Sequence, residues 1–315
     1  MRRSADPIAS APPVWITRHE RAGMAAIRAG VRLAIILGRT LSRALLVPVC
    51  LYFLAVSPAE RAASRRFLAR ALGRRAGLGD LLRHFHAFAT TLLDRVYLLR
   101  GQYGRFEVRA QGEELVTGLA RDGQGCLLLG AHLGSFEILR FLGTRMQGRP
   151  VNLVMYRETA RKLNAVLESI DPRHTTPVIA LGSIDSMLAV DEALARGEFV
   201  GILADRTIRG DRTVPCPFLG ADARFPMGPF RLAAMLGRPV VLMLGLYRGA
   251  NRYDVVFETL FDARGVPRAE REAAVEEAIR GYAARLEHYA RLAPYNWFNF
   301  YDYWQAPSRN GDHRE

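Results

Sequence analysis

The sequence predicts an α/β protein with a mostly parallel central sheet covered by helices, and with a basic amphipathic helix at its amino terminus. Three observations carry that reading. Short aliphatic and aromatic runs alternate with stretches of helical period across residues 106–259, half of all residues are apolar, and arginine and aliphatic residues are concentrated together in residues 18–56. Strands that alternate with helices build parallel sheets buried on both faces. Such sheets carry their sites beyond the carboxyl ends of the strands.

The 315 residues suit one domain with a helical extension. The divisions read as a tail over 1–14, a membrane-associating helix over 15–57, a single α/β domain over 58–305 and a tail over 306–315. On a helix, Arg21, Arg28, Arg32, Arg39 and Arg43 fall within a sector of about 60°, with Ile27, Leu33, Ile35, Ile36 and Leu37 on the other sides. The apolar run Ala44–Val56 that follows is only 13 residues long and holds Pro48, against the roughly 20 residues that span a bilayer. The chain opens on mixed residues, unlike a secretory signal. We therefore expect a helix that lies on or dips into the inner face of a membrane, its arginines on anionic headgroups. A tilted span over 33–56, or a helix packed on the domain, are the other readings.

The net charge of +13 calls for a negatively charged partner: nucleic acid, an anionic membrane surface or an acidic carrier protein. No helix-turn-helix, zinc or aromatic-sheet motif is evident, so nucleic acid is not expected. Cys50, Cys126 and Cys216 are scattered, which indicates neither a disulfide framework nor a metal site.

Helices are expected over 58–72 and 78–99. Strands then follow at Phe106–Ala110, Cys126–Gly130, Val151–Tyr156, Thr176–Leu181, Phe199–Ala204, Val240–Tyr247 and Tyr253–Thr259. Helical stretches near 112–121, 135–147, 158–169, 183–196 and 227–237 separate them.

The chemistry concentrates at Gly125–Glu137, which reads as a buried strand, a glycine-containing turn and a helix start. His132 thus falls at the carboxyl edge of the sheet. On one continuous helix His132 and Glu137 would point about 140° apart; they meet only if His132 remains in the turn and Glu137 lies in the first helical turns. A carboxylate there would hold one imidazole nitrogen while the other takes a proton from a hydroxyl. That spacing alone is a weak signal, and its place at a strand end makes it stronger. A helix-capping glutamate beside a structural histidine is the plain alternative.

At these residues the chain resembles the lysophospholipid acyltransferase-like superfamily, and within it the late lipid A (lauroyl/myristoyl) acyltransferases and their relatives of aryl polyene and glycolipid pathways. Gly130-Ala131-His132-Leu133-Gly134-Ser135-Phe136-Glu137 is similar to the family's His-x4-acidic catalytic motif, and the resemblance runs over about 15–305. It implies His132 as general base with Glu137 behind it and no metal or cofactor. It also implies direct transfer from acyl carrier protein or coenzyme A to a lipid or glycolipid acceptor, at the cytoplasmic face of the inner membrane. Neither a Gly-x-Ser-x-Gly elbow nor a base-paired cysteine is evident.

Arg157 follows a strand, and the family has an active-site arginine at this place, suited to a phosphate or an oxyanion; a solvated arginine is as plain a reading. Phe199–Arg206 is another buried strand ending in charge, where the family usually reads Asp-Gln. Asp205 would orient Arg157 or the acceptor, or pair with Arg206. Arg206 departs from the pattern, and we place both in substrate binding. The block 218–230, with Pro226 and Pro229 at a helix start, would face an anionic group or form a tight connection. Phe136, Phe141, Met146, Met227 and Met235 are candidates for an acyl pocket or for core. Tyr295–Trp304 is dense in aromatics, suited to a membrane interface, a pocket cover or packing, and lacks the Trp-x-x-His-Arg-Arg ending usual in the lipid A enzymes. The acceptor therefore stays open between hydroxyl and amine, with hydrolysis and a non-catalytic adaptor as rivals.

Overall fold

The computed structural model describes residues 24–138, 149–156, 178–181, 184–207 and 211–304. The expectations for the terminal tails, Arg21, Phe141, Met146, Arg157 and the helix at 158–169 lie outside the described residues.

Three helices come first: α1 (Met24–Val56), α2 (Pro58–Leu72) and α3 (Leu78–Leu99). Pro58 suits the first turn of α2, where no N–H is needed, and Gly73 closes that helix at φ 66°, a conformation glycine adopts without strain. The Asp80 carboxylate accepts the Gly77 N–H at 2.9 Å and opens α3.

The arginine stripe on α1 needs correction. Gly38 (φ 72°, ψ 167°) kinks the helix, so positions beyond it lose phase with those before. Arg28 and Arg32 are exposed, but Arg39 turns inward and hydrogen-bonds Asp94 of α3 at 2.7 and 2.8 Å. Asp94 is fully buried and also accepts the Tyr253 hydroxyl at 2.7 Å. A buried carboxylate requires such partners, and Arg39 serves Asp94 rather than a surface. The apolar side chains of α1 behave in the opposite way. Leu33, Ile36, Leu41, Leu45, Leu51 and Tyr52 are exposed. The stretch Arg28–Val56 is long and apolar enough to cross a membrane, with only 22% of its most apolar window buried; a core helix of a soluble domain would be mostly covered.

The remaining elements are β1 (Glu107–Gln111), α4 (Glu113–Arg121), β2 (Leu127–Gly130), β3 (Val151–Tyr156), β4 (Val178–Leu181), α5 (Ile184–Ala195) and β5 (Phe199–Leu203). They are followed by β6 (Thr213–Phe218), β7 (Ala221–Pro226), α6 (Gly228–Leu236), β8 (Pro239–Gly249), β9 (Arg252–Asp262) and α7 (Arg271–Leu292). Seven strands form one sheet in the order β1-β9-β8-β2-β5-β3-β4. Neighbours run parallel except the β8–β9 hairpin. The expected fold class is therefore the observed one.

Beside the sheet, β6 and β7 pair as an antiparallel ribbon where a single connecting block was expected. Pro215 and Pro217 fall on its exposed face and alternate with buried Val214, Cys216 and Phe218, which is how a strand outside a continuous ladder tolerates proline. Two cores lie on the two faces of the sheet. One packs α5, α6, α7 and the ribbon, and the other packs α3 and α4.

Candidate active site

The chain leaves β2 at Gly130 and enters a turn held on three sides. The Gly130 carbonyl accepts the N–H of Ala204, just after β5, at 3.0 Å and the Tyr282 hydroxyl from α7 at 2.7 Å. The His132 carbonyl accepts the Phe298 N–H at 2.7 Å, and the Ser135 N–H donates to the Gly245 carbonyl of β8 at 2.7 Å. Gly134 has φ +86°, and a Cβ there would lie 2.1 Å from the Gly245 oxygen, so both the conformation and the contact demand glycine. The turn at Gly134 thereby fixes the direction of His132 at the carboxyl edge of the sheet.

Because β2 and β5 are parallel neighbours, their carboxyl ends bring His132 and Asp205 together. Asp205 Oδ1 lies 2.9 Å from His132 Nδ1, and Oδ2 accepts the His132 backbone N–H at 3.1 Å. Asn299 Nδ2 donates to the same Oδ2 at 2.8 Å, and the Tyr303 hydroxyl donates to the Asp205 carbonyl at 2.7 Å. Arg206 Nε donates to Asn299 Oδ1 at 2.7 Å, and its guanidinium lies over the Tyr301 ring at 5.8 Å. A carboxylate can only accept, so Nδ1 of the neutral imidazole carries the proton and Nε2 is left as the acceptor.

The electrostatics favour that state. Burial pushes His132 below its ordinary value, the Arg206 charge adds to the effect, and Asp205 opposes it. Burial works against a charged Asp205, but the imidazole, Arg206 and Asn299 outweigh it and hold the carboxyl down at about 2. A neutral imidazole backed by an ionised carboxylate is the arrangement a general base requires.

The carboxylate on Nδ1 is thus Asp205, not Glu137. Glu137 sits on the 3-10 turn Phe136–Ile138, where Oε1 pairs with Arg95 Nη2 of α3 at 2.6 Å and Oε2 accepts the Ser135 hydroxyl at 3.3 Å. Its charge reaches His132 only as a lesser, longer-range influence. Asn299 and Tyr303, which complete the shell of Asp205, were visible in the sequence only as part of an aromatic-rich terminal run. Polar residues buried among aromatics were the available signal. Among the described residues no group of three His, Cys, Asp or Glu side chains is arranged to hold a metal ion.

His132 keeps 27% of its side chain exposed and opens into a cavity of about 850 Å³. Arg95, His132, Glu137, Arg206, Asp211 and Arg231 are its charged or titratable lining, while Phe136, Leu153, Met155, Leu181, Met187, Leu232 and Met235 supply an apolar remainder. Of the residues offered for an acyl pocket or for core, Phe136 and Met235 line this cavity, while Met227 is buried in the core.

A family model described as bacterial lipid A biosynthesis acyltransferase matches residues 88–306. The chain belongs to this family. The match covers the whole sheet and the His132 turn, and starts within α3. No curated protein matches the chain closely. Membership makes the cavity at His132 the active-site candidate of an acyltransferase.

Proposed function

We propose that this acyltransferase moves a fatty acyl group from acyl carrier protein or coenzyme A to a hydroxyl of a lipid or glycolipid, at the cytoplasmic face of the inner membrane. One observation carries the reading: Asp205 holds His132 Nδ1 at 2.9 Å where the imidazole opens into a largely apolar cavity. His132 Nε2 takes the proton of the acceptor hydroxyl as its oxygen attacks the thioester carbonyl. The tetrahedral oxyanion collapses, the C–S bond breaks, and the leaving thiolate recovers the proton from the imidazolium. Asp205 stabilises that cation, and the neighbouring charge of Arg206 offsets the negative charge that develops on oxygen. No cofactor is invoked. The exposed apolar side chains of α1 support residence at a membrane.

Lipid mass spectrometry on cells lacking the protein, complemented with wild type or His132→Ala, tests this reading. A lipid that loses one acyl group and regains it only with wild type identifies the acceptor, as ester or amide. Equal rescue by His132→Ala defeats the catalytic assignment, and release of free fatty acid without an acylated product makes the protein a hydrolase.

A further inference from the structure

A second cavity, of about 620 Å³, lies apart from the chemistry and is strongly basic. Arg43 of α1, Arg83 and His86 of α3, Arg109 of β1, and Arg248 and Arg252 at the β8–β9 turn line it. Two carboxylates oppose these five arginines. Glu107 pairs with Arg109 at 2.9 Å and Asp254 with Arg248 at 3.1 Å. Among the described residues Arg43, Arg83 and Arg252 have no ion-pair partner, and the buried Arg43 Nε has no hydrogen-bond acceptor. Arg83 lies instead over the Tyr295 ring at 4.5 Å. Unpaired guanidinium groups around a cavity call for a polyvalent oxyanion, which they bind through several N–H donors.

The position of the cavity narrows the ligand. Since β8 runs parallel to β2 and antiparallel to β9, the β8–β9 turn stands at the same edge of the sheet as His132. On α3, the residues facing the catalytic cavity (Phe88, Leu92, Arg95) and those facing the basic one (Arg83, His86, Ala87) point about 140° apart at 100° per residue. The two cavities therefore open at one edge with α3 as the wall between them. Arg43 belongs to the same helix whose Leu41, Leu45 and Tyr52 are bare.

We infer that the basic cavity binds the phosphate of an anionic membrane lipid headgroup and so seats the catalytic edge on the bilayer. This rests on the membrane reading of α1 given above, and the test separates the two.

The full chain would be sedimented with phosphatidylcholine vesicles, with and without phosphatidylglycerol, as wild type, R83Q/R252Q, I36E/L45E and R121Q/R268Q. Arg121 ends α4 and Arg268 follows β9, at the opposite edge of the sheet and outside the basic cavity, and they control for net charge. R83Q/R252Q should lose about thirtyfold of the phosphatidylglycerol-dependent binding and keep its binding to neutral vesicles, given the roughly 1 kcal/mol that each arginine gains at an anionic surface. I36E/L45E should lose both kinds of binding, and if it loses neither, the membrane reading of α1 fails on its own. Equal losses in R83Q/R252Q and R121Q/R268Q, or no loss in the former, overturn the site. Monomeric dihexanoylphosphatidylglycerol should compete for it. Equal competition by inorganic phosphate at the same concentration would overturn the lipid assignment in favour of a soluble phosphate.

Discussion

Asp205 Oδ1 stands 2.9 Å from His132 Nδ1 while its Oδ2 accepts the backbone N–H of the same histidine. One carboxylate thus fixes the ring, its tautomer and the chain that carries it. In Asp205→Asn the amide can present its N–H₂ to Nδ1 and turn the proton to Nε2, where it blocks proton uptake. We expect kcat to fall by about 10³–10⁴, as in other carboxylate-backed histidines, with little change in KM. Circular dichroism would confirm the fold. A fall of less than tenfold in a folded protein would remove Asp205 from the mechanism.

Glu137 is held by Arg95 and Ser135, so Glu137→Gln should act mainly by loosening the cavity wall. The expected effect is a rise in KM with kcat within about tenfold, the pattern of a lost positioning contact. If Glu137→Gln matches Asp205→Asn in kcat, Glu137 acts on His132 directly in the working complex.

Burial, joined by the Arg206 charge, lowers His132, so its catalytic form persists to lower pH than for an ordinary imidazole. The kcat/KM profile should rise with pH through a pKa below 6.5 and then level off. Arg206→Gln removes one of the lowering influences. Its acidic limb should therefore move to higher pH, with less activity on the acid side. An unmoved limb would mean that another group controls the profile.

The parts of the site written as local pattern were legible, and those created by sheet order were not. The apolar run into Gly130-Ala131-His132 announced a buried strand ending at an active edge, and Phe199–Asp205 announced another. Their pairing depends on β2 and β5 being neighbours, which no spacing between residues 132 and 205 encodes. Glu137 was the nearer acid in sequence, but the turn gives it to Arg95 of α3. Arg39 fitted the arginine sector because a helical wheel cannot see the kink at Gly38 or an acid 55 positions later at Asp94. Helix α7 was missed since tyrosine and alanine make up much of its buried face and give a weak apolar period. The prolines of β6 hid a strand that sits outside the main sheet.

His84 is fully buried, with Nδ1 at 2.7 Å from the Ser64 hydroxyl and Nε2 at 2.6 Å from the Trp297 carbonyl. The carbonyl requires the proton on Nε2, so Ser64 donates to Nδ1 and no site remains for a second proton. Burial accordingly lowers His84 from 6.5 to about 4. The unfolded chain binds this proton more readily than the fold does, so the contribution is complete above pH 6.5 and is lost as the pH falls towards 4. Urea unfolding should show wild type losing on the order of 2 kcal/mol more than His84→Gln between pH 7.5 and pH 5. Parallel pH curves would refute a neutral buried His84.

Gly201 on β5 lies against the Phe136 ring in the wall of the catalytic cavity, and a Cβ there would lie 2.6 Å from Phe136 Cζ. In Gly201→Ala the ring must swing, since the backbone strand between β2 and β3 cannot, and it shortens the apolar space. Phe136→Ala opens the same space. With each buried methylene contributing about 0.8 kcal/mol, preference should change about fourfold per carbon, towards shorter chains in Gly201→Ala and longer ones in Phe136→Ala. Competition among thioesters of graded chain length would measure it. If both variants keep the wild-type profile, the acyl chain does not run past Phe136, and the apolar part of the cavity serves the acceptor instead.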